Sequence, residues 1–255
     1  TGVQTCALPI CISYSRIADK LTDSIVYVQS IGQNARVVMQ DVVANTDKLS
    51  RFNFAEGVKG LTKMAAQASS LRFDMAETFK FAEDVLDPDK AVTYASAFQR
   101  LGVAIGDLGD PFALMNASIN GPEGLQNNII DVAKSFTYFD EKTKTFKINP
   151  QGILTLKSIE EETGLSAGNM RKAALAAAEM DQKLGKINTT GFKIPVSEDD
   201  KKMIANLAEM KNGEYVITCP YTGSNNVYQI STNLFASYET DEPFKVKLSL
   251  ADTAE

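Results

Sequence analysis

The sequence predicts a mainly α-helical protein: a bundle of short, proline-started helices with a small β-hairpin and a small β-rich C-terminal appendage. Three observations predict it. Apolar residues recur at helical spacing through most of the chain, and from Val58 to Ser118 they do so almost without a loop. Asp87-Pro88, Asp110-Pro111, Gly121-Pro122 and Asn149-Pro150 each set a break or a capping side chain directly before a proline suited to a first helical turn. The apolar period falls to two only near 136–148 and again beyond 213.

In chain order, Ser15 to about Asn45 predicts one long or two short helices. Ser15 is the expected cap, Ile17, Leu21, Ile25 and Val28 form the stripe, and Gly32 is the expected break before Val38 and Val42. Asn45-Thr46-Asp47 marks a turn into a 49–54 connector. The central module follows, with stripes Val58-Leu61-Ala65-Ala68, Met75-Phe79-Ala82-Leu86 and Ala91-Ala95-Phe98-Leu101-Ile105. Stripes of this kind are stable only against one another. After Gly121-Pro122, Leu125, Ile129, Val132 and Phe136 continue the pattern. Phe136–Phe139 and Thr145–Ile148 then read as two strands across the Asp140–Lys144 turn, with Phe136 and Tyr138 on one strand, and Phe146 and Ile148 on the other, alternating with polar positions. A lone ribbon is marginal, so it is expected to lean on neighbouring helices.

Asn149-Pro150 opens a helix through Ile153, Leu156 and Ile159 that Gly164 closes. Ser166 caps the next, whose Met170, Ala173, Ala177, Met180 and Leu184 make an alanine-rich seam for an intramolecular helical hairpin. Gly185–Ile194 is expected as loop. Ser197-Glu198-Asp199-Asp200 has the outline of a capping box, and its helix carries Ile204, Leu207 and Met210 and stops near Gly213. Strands are expected at Glu214–Thr218, Asn226–Ser231 and Phe244–Leu250. The implied organisation is a helical module at 12–135, a β-hairpin at 136–149, a helical segment at 150–212 and a β-rich region at 213–255.

Residues 1–11 stand apart. Thr1 to Ile10 is what ACT GGA GTT CAG ACG TGT GCT CTT CCG ATC encodes, a widely used sequencing adapter in frame, and Cys11 fits the adapter's next base. Biological sequence is therefore expected to start at Cys11 or Ile12, and the chain to be a metagenomic fragment. The rival, a secretion signal, lacks a basic start, and its apolar run is short and holds Pro9. Of three cysteines this leaves Cys219 as the secure one, which offers neither a disulfide framework nor a metal cluster.

Composition narrows the chemistry. Hydrophobic residues make up 44% and charged ones 23%, as in an ordinary folded domain, and the net charge is −6. The basic residues are dispersed, so no nucleic-acid groove is expected. No segment approaches the roughly 18 apolar residues of a membrane span. Histidine is absent, which removes imidazole bases, Ser-His-Asp and Cys-His pairs, and His-bearing zinc sites. Gly102, Gly106 and Gly109 match no phosphate-loop spacing and follow a helix, so helix termination and close packing explain them. Glu160-Glu161-Glu162 is a solvated helix end. Asp140 and Glu141 lack a calcium-loop periodicity. Met64, Met75, Met170, Met180 and Met203 are core. No catalytic, cofactor-binding or metal-binding residue and no cofactor is assigned, and the chain is expected not to be an enzyme.

One resemblance bears on role. Leu71-Arg72-Phe73-Asp74-Met75-Ala76-Glu77 leads into Phe81-Ala82-Glu83-Asp84, and Gly109-Asp110-Pro111-Phe112-Ala113-Leu114-Met115 follows. After these come Gly121-Pro122-Glu123-Gly124-Leu125-Gln126, Phe146-Lys147-Ile148-Asn149-Pro150, and Asp199-Asp200-Lys201-Lys202-Met203-Ile204-Ala205-Asn206-Leu207-Ala208. In texture and order, over about residues 50–215, this resembles a helical region of tailed-phage tail tape-measure and related virion structural proteins. The resemblance implies a structural role in tail assembly, other tail proteins (tail tube, baseplate) or a second copy as partner, and a place in the virion, or in the host cytoplasm during assembly. Two alternatives stay open: a generic helical scaffold or adaptor module binding a protein partner, and a carboxylate-based cell-wall hydrolase domain of a tail protein.

Overall fold

The computed structural model describes residues 14–187, 195–211, 214–218 and 245–248. The adapter-like segment, Cys219, the 220–225 connection and the expected 226–231 strand lie outside them. The protein is mainly α-helical, with ten α-helices among the described residues. None of these helices is long and apolar enough to cross a membrane.

Two compact units are formed, one from residues 14–25 and 35–178, the other from 26–34 and the described residues from 179 onward. The first begins with α1 (Tyr14–Ser30), which continues into the second, and α2 (Ala35–Ala44). Ser15 therefore lies inside the first turn of α1 and is not its cap. Gly32 makes the break, at φ +73°. A 3-10 helix, Thr46–Ser50, replaces the simple turn expected after Asn45.

Helices α3 (Val58–Leu71), α4 (Met75–Val85), α5 (Pro88–Arg100), α6 (Pro111–Asn120) and α7 (Pro122–Lys134) form the body. Helix α4 packs on α3, α5, α6 and α7. Its Phe79 stacks on Phe52 at 5.7 Å and meets the edge of Phe54 at 6.2 Å, while Phe81 stacks on Tyr94 at 5.3 Å and meets Phe98 at 6.2 Å. Aromatic pairs like these add roughly 0.5–1.5 kcal/mol beyond their burial. The stripes Val58-Leu61-Ala65-Ala68, Met75-Phe79-Ala82 and Ala91-Ala95-Phe98 are buried as their spacing predicts. Their C-terminal extensions are not: Leu86 and Ile105 are exposed, and Val85, Val103 and Leu108 are buried instead. Helix α4 stops at Val85, and α5 gives way to Gly102 at φ +72°, so the helical period no longer sets which side chain faces inward.

The hairpin pairs β1 (Thr137–Asp140) with β2 (Thr145–Ile148) in antiparallel register, Phe139 opposite Phe146 and Tyr138 opposite Lys147. Phe139 and Phe146 meet edge to face at 5.2 Å. The apolar face is thus Phe139, Phe146 and Ile148, while the expected Tyr138 lies on the other face, exposed. The ribbon leans on α8 (Pro150–Thr163) through Gly152, where a Cβ would sit 2.3 Å from that of Phe136 and 3.0 Å from Ile148 Cγ2. Leu156 and Ile159 of α8 are buried, but the expected core residue Ile153 is exposed. Ser166 caps α9 (Ala167–Lys186), its Oγ accepting from Asn169 N at 3.3 Å. Met170, Ala173 and Ala177 are buried, and Met180 and Leu184 half-buried. The helix takes in Gly185, where a loop was expected.

In the second unit, α10 (Glu198–Leu207) starts on the predicted capping box. Asp200 N donates to Ser197 Oγ at 3.1 Å and Ser197 N to Asp200 Oδ2 at 2.9 Å. The helix ends at Leu207, and Met210, expected on it, lies in β3 (Glu209–Lys211). That strand pairs antiparallel with β4 (Glu214–Thr218), which pairs antiparallel with β5 (Lys245–Leu248). Asn206 Nδ2 donates to Ile31 O at 2.7 Å, and Gly32 lets the chain approach Met203.

Gly152→Ala is expected to destabilise by about 1–3 kcal/mol, since a methyl group must displace Phe136. Chemical denaturation should show it, with the largest amide shift changes in the hairpin. Thr78 Oγ1 is buried without a hydrogen-bond partner among the described residues. Thr78→Val, nearly the same shape, is expected to raise stability by about 1 kcal/mol, read as an upward shift in Tm.

Candidate functional site

The polar side chains of the first unit gather at junctions between helices, and the junctions begin with caps. Asp74, Asp87, Asp110 and Asn149 accept from Ala76 N at 2.9 Å, Asp89 N at 3.0 Å, Ala113 N at 2.8 Å and Gly152 N at 2.6 Å respectively. Each carboxylate or amide stands where a helix start leaves N–H groups unpaired. Beyond the caps, three clusters join different elements.

The first is an amide relay between α3 and α7. Gln126, fully buried, donates from Nε2 to Met64 O at 3.3 Å and to Gln67 Oε1 at 2.9 Å, and Gln67 in turn donates to Asn127. It follows from helical spacing that Gln67 lies one turn on from Met64, so a single side chain reads both. Nearby, Glu123 Oε1 accepts from Ala55 N at 3.2 Å.

The second is an ion cluster. Lys48 and Arg51, at and after the 3-10 helix, both reach Glu83 of α4, at 2.9 and 3.0 Å, and Lys48 Nζ lies 5.9 Å from the Phe79 ring centre. The hydrogen bond from Lys48 holds Glu83 below its ordinary pKa against the opposing effect of burial.

In the third, Glu77, half-buried in the first turn of α4, accepts from Ser166 N at 3.3 Å and from Asn169 Nδ2. Loss of solvent raises its pKa, the two hydrogen bonds oppose the rise, and the charges of Asp74 and Glu160 add to it. Asp41 on α2 is raised too, by burial and then by Asp74.

Of the glycine run, Gly106 and Gly109 pack closely as predicted, while Gly102 ends α5 at φ +72° with open space where a Cβ would be. Gly106, at φ +56°, lies against Asn128, whose side-chain atoms would be 2.8 Å from a Cβ there, and a Cβ at Gly109 would sit 2.7 Å from that of Ala104. Gln99 donates its side-chain amide to Gly109 O. Glu160, Glu161 and Glu162 are exposed, Glu162 paired with Arg100 at 2.6 Å. Asp140 is bound by Lys147 and by the turn N–H of Lys142 at 2.9 Å. Sequence reasoning included Glu77 and Gln126 in segments of the resemblance but gave neither a role. Their signal was weak, a polar residue placed next to an apolar stripe, and their partners lie 59 or more positions away.

Chemically, these clusters bind backbone and neighbouring helices, and within the α3–α7 relay Gln126 Oε1 and Glu123 Oε2 are buried without a hydrogen-bond partner among the described residues. Among the described residues no group of three or more Cys, Asp or Glu side chains is placed to hold a metal ion. No protein-family model, curated protein or solved structure matches the chain.

Asp140 gives a pH prediction. The hydrogen bond from Lys147, then those of the turn, lower its pKa from 3.8 to about 2. A depressed carboxyl contributes stability that is present above 3.8 and lost as pH falls toward about 2. Asp140→Asn is expected to flatten the hairpin's share of acid unfolding in that window, followed by amide shifts of 137–148 across an acid titration.

Proposed function

We propose that this chain is a structural, non-enzymatic domain of a tailed-phage virion protein of the tape-measure kind, acting in tail assembly. The observation that carries the proposal is where the residues of the resemblance lie. Leu71 to Asp74 end α3 and cap α4; Arg72 takes the left-handed conformation at φ 55° and Phe73 N donates back to Ala68 O at 2.9 Å. Asp110 caps α6, Gly121-Pro122 opens α7, Asn149-Pro150 opens α8, and Asp199 to Ala208 covers α10 from its second residue, including Asp200 of the capping box. Gln126, last of its segment, is the amide that joins α3 and α7. Much of the likeness falls at helix starts and stops, with residues 146–148 in β2 and 81–84 inside α4, and such a likeness concerns shape. Shape is what an assembly protein must supply, and a compact domain of short helices would package, plug or anchor within a tail where a single long helix would measure at about 1.5 Å per residue.

The partners proposed are tail-tube or baseplate proteins, or a second copy of the chain. Mass spectrometry of phage particles purified from the source community should find peptides from 14–187 among the virion proteins. The reading frame should also lie beside genes for tail tube, tail terminator or baseplate. Peptides confined to the host-cell fraction, with the gene among unrelated enzymes, would overturn the proposal. Release of fragments from purified cell wall by the protein would favour the hydrolase reading instead.

A further inference from the structure

Asn120-Gly121 is the step at which α6 gives way to α7, and it is also a chemically labile kind of peptide step. The backbone nitrogen of the residue after an asparagine is placed to attack that asparagine's carboxamide carbon. Glycine, with no side chain, hinders the attack least. In the folded chain both reacting groups are engaged elsewhere. Gly121 N donates to Ala117 O at 3.0 Å. Asn120 Nδ2 donates to Asn116 Oδ1 at 2.8 Å, one turn back, and Asn120 Oδ1 accepts from Asn53 Nδ2 at 2.8 Å. Asn120 is the last residue of α6, and a helical backbone holds the following nitrogen away from the residue's own side-chain carbon.

Asn53 reaches this point because the connector before α3 is pinned on either side of it, by Phe52 and Phe54, which are buried against Phe79. Its backbone N also donates to Ile119 O at 2.7 Å, and Ala55 N donates to Glu123 Oε1 at 3.2 Å in the first turn of α7. Residues 53–55 thus lie across the α6–α7 junction as a strap, bonded to the end of one helix and the start of the next. Asn120 is exposed, so water reaches it. The strap and the helix withhold the geometry of attack.

We propose that Asn120 is a latent modification site, held as the amide by the 53–55 strap and converted to aspartate or isoaspartate when the α6–α7 junction opens. On opening, the Gly121 nitrogen gives its proton to water and bonds to Asn120 Cγ; the Cγ–Nδ2 bond breaks and ammonia leaves. The five-membered succinimide then takes up one water at either carbonyl, so the sum is amide plus water to carboxylic acid plus ammonia. The change runs one way. The new carboxylate stands at the carbonyl end of α6, where negative charge is disfavoured, and Asn116 Oδ1 loses the donor it had. Isoaspartate also lengthens the backbone between two helices that are joined through Gly121 alone.

The test is incubation of the full chain at mildly alkaline pH, folded and in urea, with the peptide that holds residue 120 followed by mass spectrometry able to separate asparagine, aspartate and isoaspartate. Conversion in the folded chain should be slower than in urea by about tenfold or more, since it waits on local opening. Asn53→Ala should speed the folded-state conversion several-fold. Gly152→Ala, which loosens the hairpin, should leave it unchanged, and this separates opening of the junction from unfolding of the whole unit. Gly121→Ala has room, since a Cβ there would lie 3.8 Å from Ala117 O, and should suppress conversion in urea if the ring is the route. Equal rates in the folded chain and in urea need no variant to read and would overturn the proposal. So would a folded-state rate indifferent to the Asn53 amide, or one that Gly152→Ala raises as much as Asn53→Ala does.

Discussion

Helices of 10–14 residues dominate the first unit, and a helix that short has ends out of proportion to its length. Four N–H groups at each start and four C=O groups at each finish have no partner inside the helix. Alone, such a segment would not hold together in water. The structure depends on satisfying those ends while pressing one apolar stripe of each helix against the others. Asp74, Asp87, Asp110 and Asn149 satisfy the starts with side-chain oxygens. Arg72 and Gly164 turn left-handed at the finishes of α3 and α8.

Once the ends are fixed, the directions of the helices follow, and α4 becomes the member the others lie against. It carries Phe79 and Phe81, which face different aromatic neighbours, Phe52 and Phe54 in one case and Tyr94 and Phe98 in the other. Its polar residues are distributed in the same way. Glu77 meets α9, and Glu83 meets the cations of the segment before α3. The electrostatics of the fold are consequently local. Each shifted carboxyl answers to one junction, and the two on α4 shift in opposite directions because Glu83 has ammonium and guanidinium partners, while Glu77 is raised first by loss of solvent and then by like charge, against the pull of its neutral donors.

A domain organised in this manner devotes its side chains to holding an outline. Many segments of the resemblance to tail tape-measure and related virion proteins fall at helix starts and finishes, and this is the support for the proposed structural role. Gly152, Gly106 and Gly109 belong to the same logic. They are places where backbone or side chain comes so close that no Cβ fits without displacement.

The sequence by itself determined the helix starts, since Asp-Pro, Gly-Pro and Asn-Pro steps and the Ser197–Asp200 box act through bonds spanning three residues or fewer. It determined the buried stripes of α3 and α5 and most of that of α4, and the existence of the hairpin, because helical and strand periods are visible within a few residues. Only the tertiary structure decided what lay beyond a helix end. Val85 and Leu108 turn inward in place of Leu86 and Ile105, Phe139 takes the face expected of Tyr138, and Met210 leaves the helix for a strand. The same holds for Glu77 and Gln126, whose meaning comes from groups 59 to 92 positions distant. Local spacing fixes where hydrogen bonds along the chain begin and stop. Which side chain faces which across a junction depends on the angle at which two helices meet, and that angle is set by all of the packing at once.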